Sequence, residues 1–157
     1  MKYEVFTNTF KNKQAMSKKY ILILLPISIL LFSFIKQEPL KKEQLIQPQE
    51  LANQINNTKV AKPIILNVGN VDQIKGAIQI GAVNEEAGMK KFKFEVSKIF
   101  PDKEVVVYCG CCSSDNCPNI RPAIKYLNEN GFKKAKVLNI PVGIKEDWVQ
   151  KGFPVEK

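Results

Sequence analysis

The stretch Glu104–Leu127, EVVVYCGCCSSDNCPNIRPAIKYL, decides the fold. Val105 to Tyr108 is a continuous apolar run of strand length, and Pro122 to Asn130 reads as a helix closed by Gly131. Between them lie all four cysteines of the chain, Cys109, Cys111, Cys112 and Cys117, within nine residues. A cysteine at a strand end, just before a helix, sits among unpartnered backbone N–H groups that favour its thiolate. Arg121, the only arginine, follows the last cysteine by four residues and offers a planar donor fork for sulfur or phosphorus oxyanions. Gly110, Ser113 and Ser114 complete the turn as candidate anion contacts, and Asp115 and Asn116 are candidate caps for the helix.

Working outward, the pattern alternates. Upstream, Gln49–Asn56 reads as a short helix, Ile64–Val68 and Ala77–Ile80 as strands, and Glu85–Ile99 as a helix carrying Met89, Phe92, Val96 and Ile99 on one face. Downstream, Ala135–Leu138 is a strand and Lys145–Lys151 a last helix ending at Gly152. Strands alternating with helices predict an α/β domain, with a mainly parallel sheet covered on both faces over residues 48–157. Ligands of such sheets bind beyond the carboxyl ends of the strands, where the cysteine turn falls. Trp148 and Phe153 are read as core, and Asp102, Glu104, Glu146 and Asp147 as solvated.

The amino-terminal part is of another kind. Tyr20–Ile35, YILILLPISILLFSFI, carries no charge and would span about 24 Å as a helix. That length fits a signal anchor or a signal-peptide core. Residues 1–19 are basic, with five lysines against one glutamate, and Met16 followed by SKKY is an alternative start. Residues 36–47, rich in charge and punctuated by Pro39, read as a linker. These features predict a domain anchored to the cytoplasmic membrane through residues 20–35 and facing the periplasm or exterior, or secreted if the segment is cleaved.

Composition narrows the chemistry. The net charge of +9 is carried almost wholly by scattered lysines, without a basic run interleaved with aromatics, so no nucleic-acid partner is expected. There is no histidine, which removes the usual proton shuttle and argues against hydrolases built on a His base. The spacing C-x-C-C-x4-C lacks the paired C-x2-C of zinc sites, so no metal or other cofactor is expected. A site on Cys109, Cys111, Cys112 and Cys117 is the lesser alternative.

The unit VVVYC followed by RPAIKYLNENGF, together with the ending KVLNIPVGIKEDWVQKGFPVE (W-x-x-x-G-[YF]-P-V), resembles the rhodanese family. Upstream, PQELANQI, IILNV and IKGAIQIG fall in the family's order, so the resemblance covers roughly residues 47–157. It implies a three-layer α/β domain and transfer of sulfane sulfur through a persulfide on Cys109. The donor would be a small anion such as thiosulfate, and the acceptor a thiol or cyanide. Three departures stand out: an enlarged cysteine loop, Asn67-Val68-Gly69 where the family has Asp-x-Arg, and Gln73-Ile74-Lys75 where it has Gly-His-Ile. In the enlarged loop Cys111, Cys112 or Cys117 would be a resolving thiol or a disulfide partner. The alternative functions are thiol–disulfide exchange through Cys109 and a second loop cysteine, or a non-catalytic, metal-binding domain.

Overall fold

The computed structural model describes residues 40–156, which lie within one compact unit, Pro39–Lys157. Five strands form a single sheet in the order β1-β5-β4-β2-β3, and every pair is parallel. They are β1 (Leu45–Ile46), β2 (Ile64–Asn67), β3 (Ala77–Gln79), β4 (Val105–Tyr108) and β5 (Ala135–Leu138). The helices are α1 (Pro48–Asn56), α2 (Glu86–Val96) and α3 (Ile120–Glu129), followed by a π-helical turn at Lys145–Val149. The expected α/β fold with a parallel sheet between helical layers is what the chain adopts.

Strand β4 is central because nothing in it needs water. Val105, Val106, Val107 and Tyr108 are all fully buried, each valine contributing about 2 kcal/mol of apolar transfer. The pleat sends alternate residues to opposite faces. Val105, Val107 and Cys109 pack with α2 and α3, against Phe92, Val96, Ile124 and Leu127. Val106 and Tyr108 pack with α1 and the carboxyl-terminal turn, against Leu51, Ile55 and Trp148. Cys109 therefore continues the strand's alternation into the α3 layer.

Helix α3 buries Ile120, Ala123, Ile124 and Leu127, the i, i+3, i+4, i+7 stripe of one face. It starts two residues earlier than the sequence suggests. Pro122 still lies in the first turn, where its missing N–H costs no intrahelical bond. The helix stops at Gly131, whose φ of +83° favours glycine, and the Phe132 N–H returns to Leu127 O at 3.0 Å.

Several expectations are corrected. Residues 36–47 are not wholly a linker, because Lys42–Gln44 form a 3-10 turn and β1 pairs with β5 at Leu45–Val137 and Ile46–Leu138. Asp147 is not solvated. Its Oδ2 accepts the Val142 and Gly143 N–H groups at 2.8 and 3.0 Å, which builds the turn into the last helical segment. The expectation of a transmembrane helix is overturned among the described residues, none of whose helices is long and apolar enough to cross a membrane. The Tyr20–Ile35 segment on which that reading fell lies outside the described residues. Trp148 is fully buried as expected, with Phe153 edge-on at 5.1 Å between ring centroids.

Candidate functional site

The site lies at the carboxyl edge of the sheet, where β4 runs out at Cys109. Two glycines allow the chain to close there. Gly69 follows β2 so tightly that a Cβ would stand 2.7 Å from both the carbonyl oxygen and the Sγ of Cys109. Gly110, at φ +75°, turns the chain immediately after Cys109, and a Cβ there would meet Ile144 Cβ at 2.7 Å. The Gly69 turn is fixed by amides. Asn67 Oδ1 accepts the Gly69 N–H at 3.1 Å, Asn67 Nδ2 donates to Gln79 Oε1 at 2.7 Å, and Gln79 Nε2 donates to Gly69 O at 2.7 Å. Neutral side chains thus order the turn at Asn67-Val68-Gly69, the stretch noted above as a departure from the Asp-x-Arg of the rhodanese family.

Around Cys109 the structure gathers donors. The Sγ atoms of Cys109, Cys111 and Cys117 all lie within 4.8 Å of one another. Cys111 Sγ is 3.2 Å from Cys109 Sγ, and Asn119 Nδ2 is 3.4 Å from it. Asn119 is nearly buried, and its orientation is unambiguous: Oδ1 accepts the Asn84 N–H at 2.9 Å, and a backbone N–H can only donate. The amide nitrogen must therefore face the sulfur.

These contacts set the charge. Cys109 is lowered from an ordinary 9.0 to about 5, first by the Cys117 thiol, then, against the opposing cost of burial, by Asn119 and by the thiol and backbone N–H of Cys111. Cys117 moves up, because its proton is held by Cys109 and it is buried, even though the Asn119 and Ile120 amides point at its sulfur. Cys111 is pushed up to about 12 by desolvation and by its neighbours' sulfurs. The cluster thus holds one thiolate, at Cys109, with the other two thiols as its donors. None of the four cysteines is in a disulfide.

The other sequence candidates fall into place around this centre. Cys112 touches Cys111 at 3.5 Å and stands outside the three-sulfur cluster. Ser114, read as an anion contact, is a tether. Its hydroxyl donates to Leu138 O at 2.7 Å and accepts the Ile140 N–H at 2.9 Å, and its own N–H reaches Ile140 O at 2.8 Å. Ser113 Oγ accepts from Asn116 Nδ2 at 3.0 Å. Arg121 Nη2 donates to Asp115 O at 3.3 Å and so braces the loop. The residue flanking α3 is Asn119, not Asp115 or Asn116. Asn119 is the participant that sequence reasoning missed. The available signal was an asparagine directly before the apolar stripe of a helix, which marks a start but not a sulfur contact.

No model of a protein family matches the chain, and no curated protein matches it either. The chain is similar to a solved structure of an EanB variant in complex with hercynine, at 19% identity and a TM-score of 0.51. The match covers 75% of this chain and 29% of that one, so the chain spans less than a third of that protein's length. At that identity the likeness bears on the fold alone, and it agrees with the parallel α/β architecture.

Proposed function

We propose that this chain is a rhodanese-like sulfur carrier whose Cys109 takes a sulfane sulfur from a small anionic donor and passes it to a thiol. One observation carries the reading: a thiolate at the carboxyl end of the central strand, held by sulfur and amide donors where no histidine exists to deprotonate it. With thiosulfate, the Cys109 thiolate attacks the outer sulfur, the S–S bond breaks, and sulfite leaves with the electron pair. A persulfide anion remains on Cys109. The step transfers no proton and needs no general base, so the missing histidine is no obstacle. The test is incubation of the reduced chain with thiosulfate. Sulfite release is expected, with the transferred sulfur recovered either on the peptide holding Cys109 or as sulfide, and both are lost in Cys109→Ser. Sulfite release that persists in Cys109→Ser would sink the assignment.

A second reading is favoured by the convergence of three, not four, thiols. Cys109, Cys111 and Cys117 offer three sulfurs within 4.8 Å of one another, a set suited to a soft cation such as Cu(I), and Cys112 stands aside. Cu(I) titration of the reduced chain separates the readings. A tight site lost in Cys109→Ser, Cys111→Ser and Cys117→Ser but kept in Cys112→Ser supports the second. Its absence removes it.

A further inference from the structure

Cys109 and Cys111 are separated by a single residue. On an extended strand such a pair shares a face with a spacing of about 6.5 Å. Here the left-handed turn at Gly110 folds the chain back and brings the two sulfurs to 3.2 Å. Packing holds the turn in place, with Ile144 against Gly110 and the Ile144 N–H donating to Gly110 O at 3.0 Å. The two thiols differ sharply in access, because Cys109 is 2% exposed while Cys111 is at the surface. Cys117, the other thiol of the cluster, is only 1% exposed, with amides of the α3 start directed at its sulfur. Cys112 contacts Cys111.

A persulfide on Cys109 offers two sulfurs to a nucleophile, and the contact distance discriminates between them. In-line attack on the outer sulfur would need Cys111 Sγ to stand at least two S–S bond lengths, about 4 Å, from Cys109 Sγ. The 3.2 Å contact is already shorter than that. Attack on the inner sulfur, Cys109 Sγ itself, needs only continued approach along the existing contact.

Resting on the reading of Cys109 as a sulfur carrier, we infer that Cys111 is the built-in resolving thiol that discharges it. It attacks Cys109 Sγ of the persulfide, closes a Cys109–Cys111 disulfide and expels the carried sulfur as hydrosulfide. The balance is complete. The thiol of Cys111 and the persulfide anion of Cys109 give the disulfide and HS⁻, with the Cys111 proton moving to the departing sulfur. The sulfane sulfur is reduced to sulfide, and the two cysteine sulfurs are oxidised to the disulfide. Two equivalents of an external thiol then return both cysteines to the reduced state. A disulfide closing so small a ring is strained and readily reopened by thiols, as a turnover step requires. The exposed position of Cys111 gives the external thiol its entry.

The experiment uses the full chain, reduced and freed of reductant, treated with thiosulfate and followed for sulfite, sulfide and intact mass. Wild type is expected to release both sulfite and sulfide and to end two hydrogens lighter, with Cys109 and Cys111 linked. Cys111→Ser is expected to release sulfite, keep the added sulfur and lose sulfide release until an external thiol is supplied. Sulfide release from Cys111→Ser at the wild-type rate overturns the inference, as does its loss in Cys117→Ser instead. A wild-type chain that releases sulfite but holds its sulfur also overturns it, while leaving Cys109 loading intact. A wild-type chain that releases no sulfite refutes the carrier reading and the inference with it.

Discussion

Replacing Asn119 separates its two bonds, one to the Cys109 sulfur and one to the Asn84 N–H. A hydrogen bond to a charged acceptor contributes about 1.5–3 kcal/mol, and about 1.4 kcal/mol corresponds to one pKa unit. Asn119→Ala should therefore raise Cys109 from about 5 by roughly one to two units, toward 6–7. It also removes the acceptor of the Asn84 N–H, and because Asn84 is exposed and can turn to water the cost is about 0.5–1.5 kcal/mol of stability. Asn119→Asp keeps an acceptor for Asn84 but buries a carboxylate beside the Cys109 sulfur, so its stability should fall below that of the alanine variant. It turns a carboxylate oxygen toward the sulfur where a donor stood, so the thiol should rise further than in the alanine variant. The measurement is a pH titration of thiolate absorbance in the ultraviolet, with urea denaturation on the same samples. At mildly acidic pH the thiosulfate reaction should slow in the same order, wild type, alanine, aspartate. An Asn119→Asp chain whose thiolate titrates as wild type does would refute the assignment of the amide nitrogen to Cys109.

The cluster also makes stability depend on pH. Cys109 lies below its unfolded value of 9.0, so its contribution is full above pH 9 and is lost as pH falls through about 5. Cys111 and Cys117 lie above 9.0, so theirs is full below pH 9 and is lost as pH rises toward about 12 for Cys111. The difference in unfolding free energy between wild type and Cys109→Ser should therefore rise from pH 5 and peak near 9 under reducing conditions, and a flat difference would contradict the shared-proton picture. Gly69→Ala puts a methyl 2.7 Å from Cys109 Sγ, so it should cost about 1–3 kcal/mol and impair sulfite release together. A fully active Gly69→Ala chain would show that the sulfur tolerates displacement. Ser114→Ala removes the tether between the loop and β5, and a loss of about 1–3 kcal/mol in urea denaturation is expected. Because the hydroxyl is committed to β5, the thiosulfate KM should stay at its wild-type value; a raised KM would restore the anion-contact reading.

Much of the fold was legible because its elements carry strong local patterns. Strands β4 and β5 match their sequence ranges, being apolar runs bounded by loops. Helix α3 began at Ile120 because proline is tolerated throughout a first turn, whereas the reading placed Pro122 at its first residue. Strand β1 was hidden, since two residues in a charged stretch have no period to detect and its partner Val137 is far along the chain. The site was half legible. Cysteine at a strand end announces itself, but the roles of Asn119, Ser114 and Asp147 depend on which backbone groups fold against them. Ser114 reads as a loop serine until β5 arrives beside it, and Asp147 as a surface charge until two amides converge on its carboxylate.

The cysteine loop explains how a chain without histidine manages its protons. A lone buried thiol would be raised by desolvation and stay protonated. Here two neighbouring thiols and an amide outweigh that cost, so the cluster has a single charge and places it on Cys109. Under the proposed chemistry that charge moves outward when sulfur is loaded, onto the terminal atom of the persulfide. Cys109 Sγ then ceases to be an anion and becomes an electrophile, while Cys111 stands 3.2 Å away. The same contact that holds the thiolate before loading becomes the line of attack after it. Cys111 and Cys117 thus first lower the Cys109 thiol, and under the proposed chemistry Cys111 then discharges it, in an order set by where the charge resides.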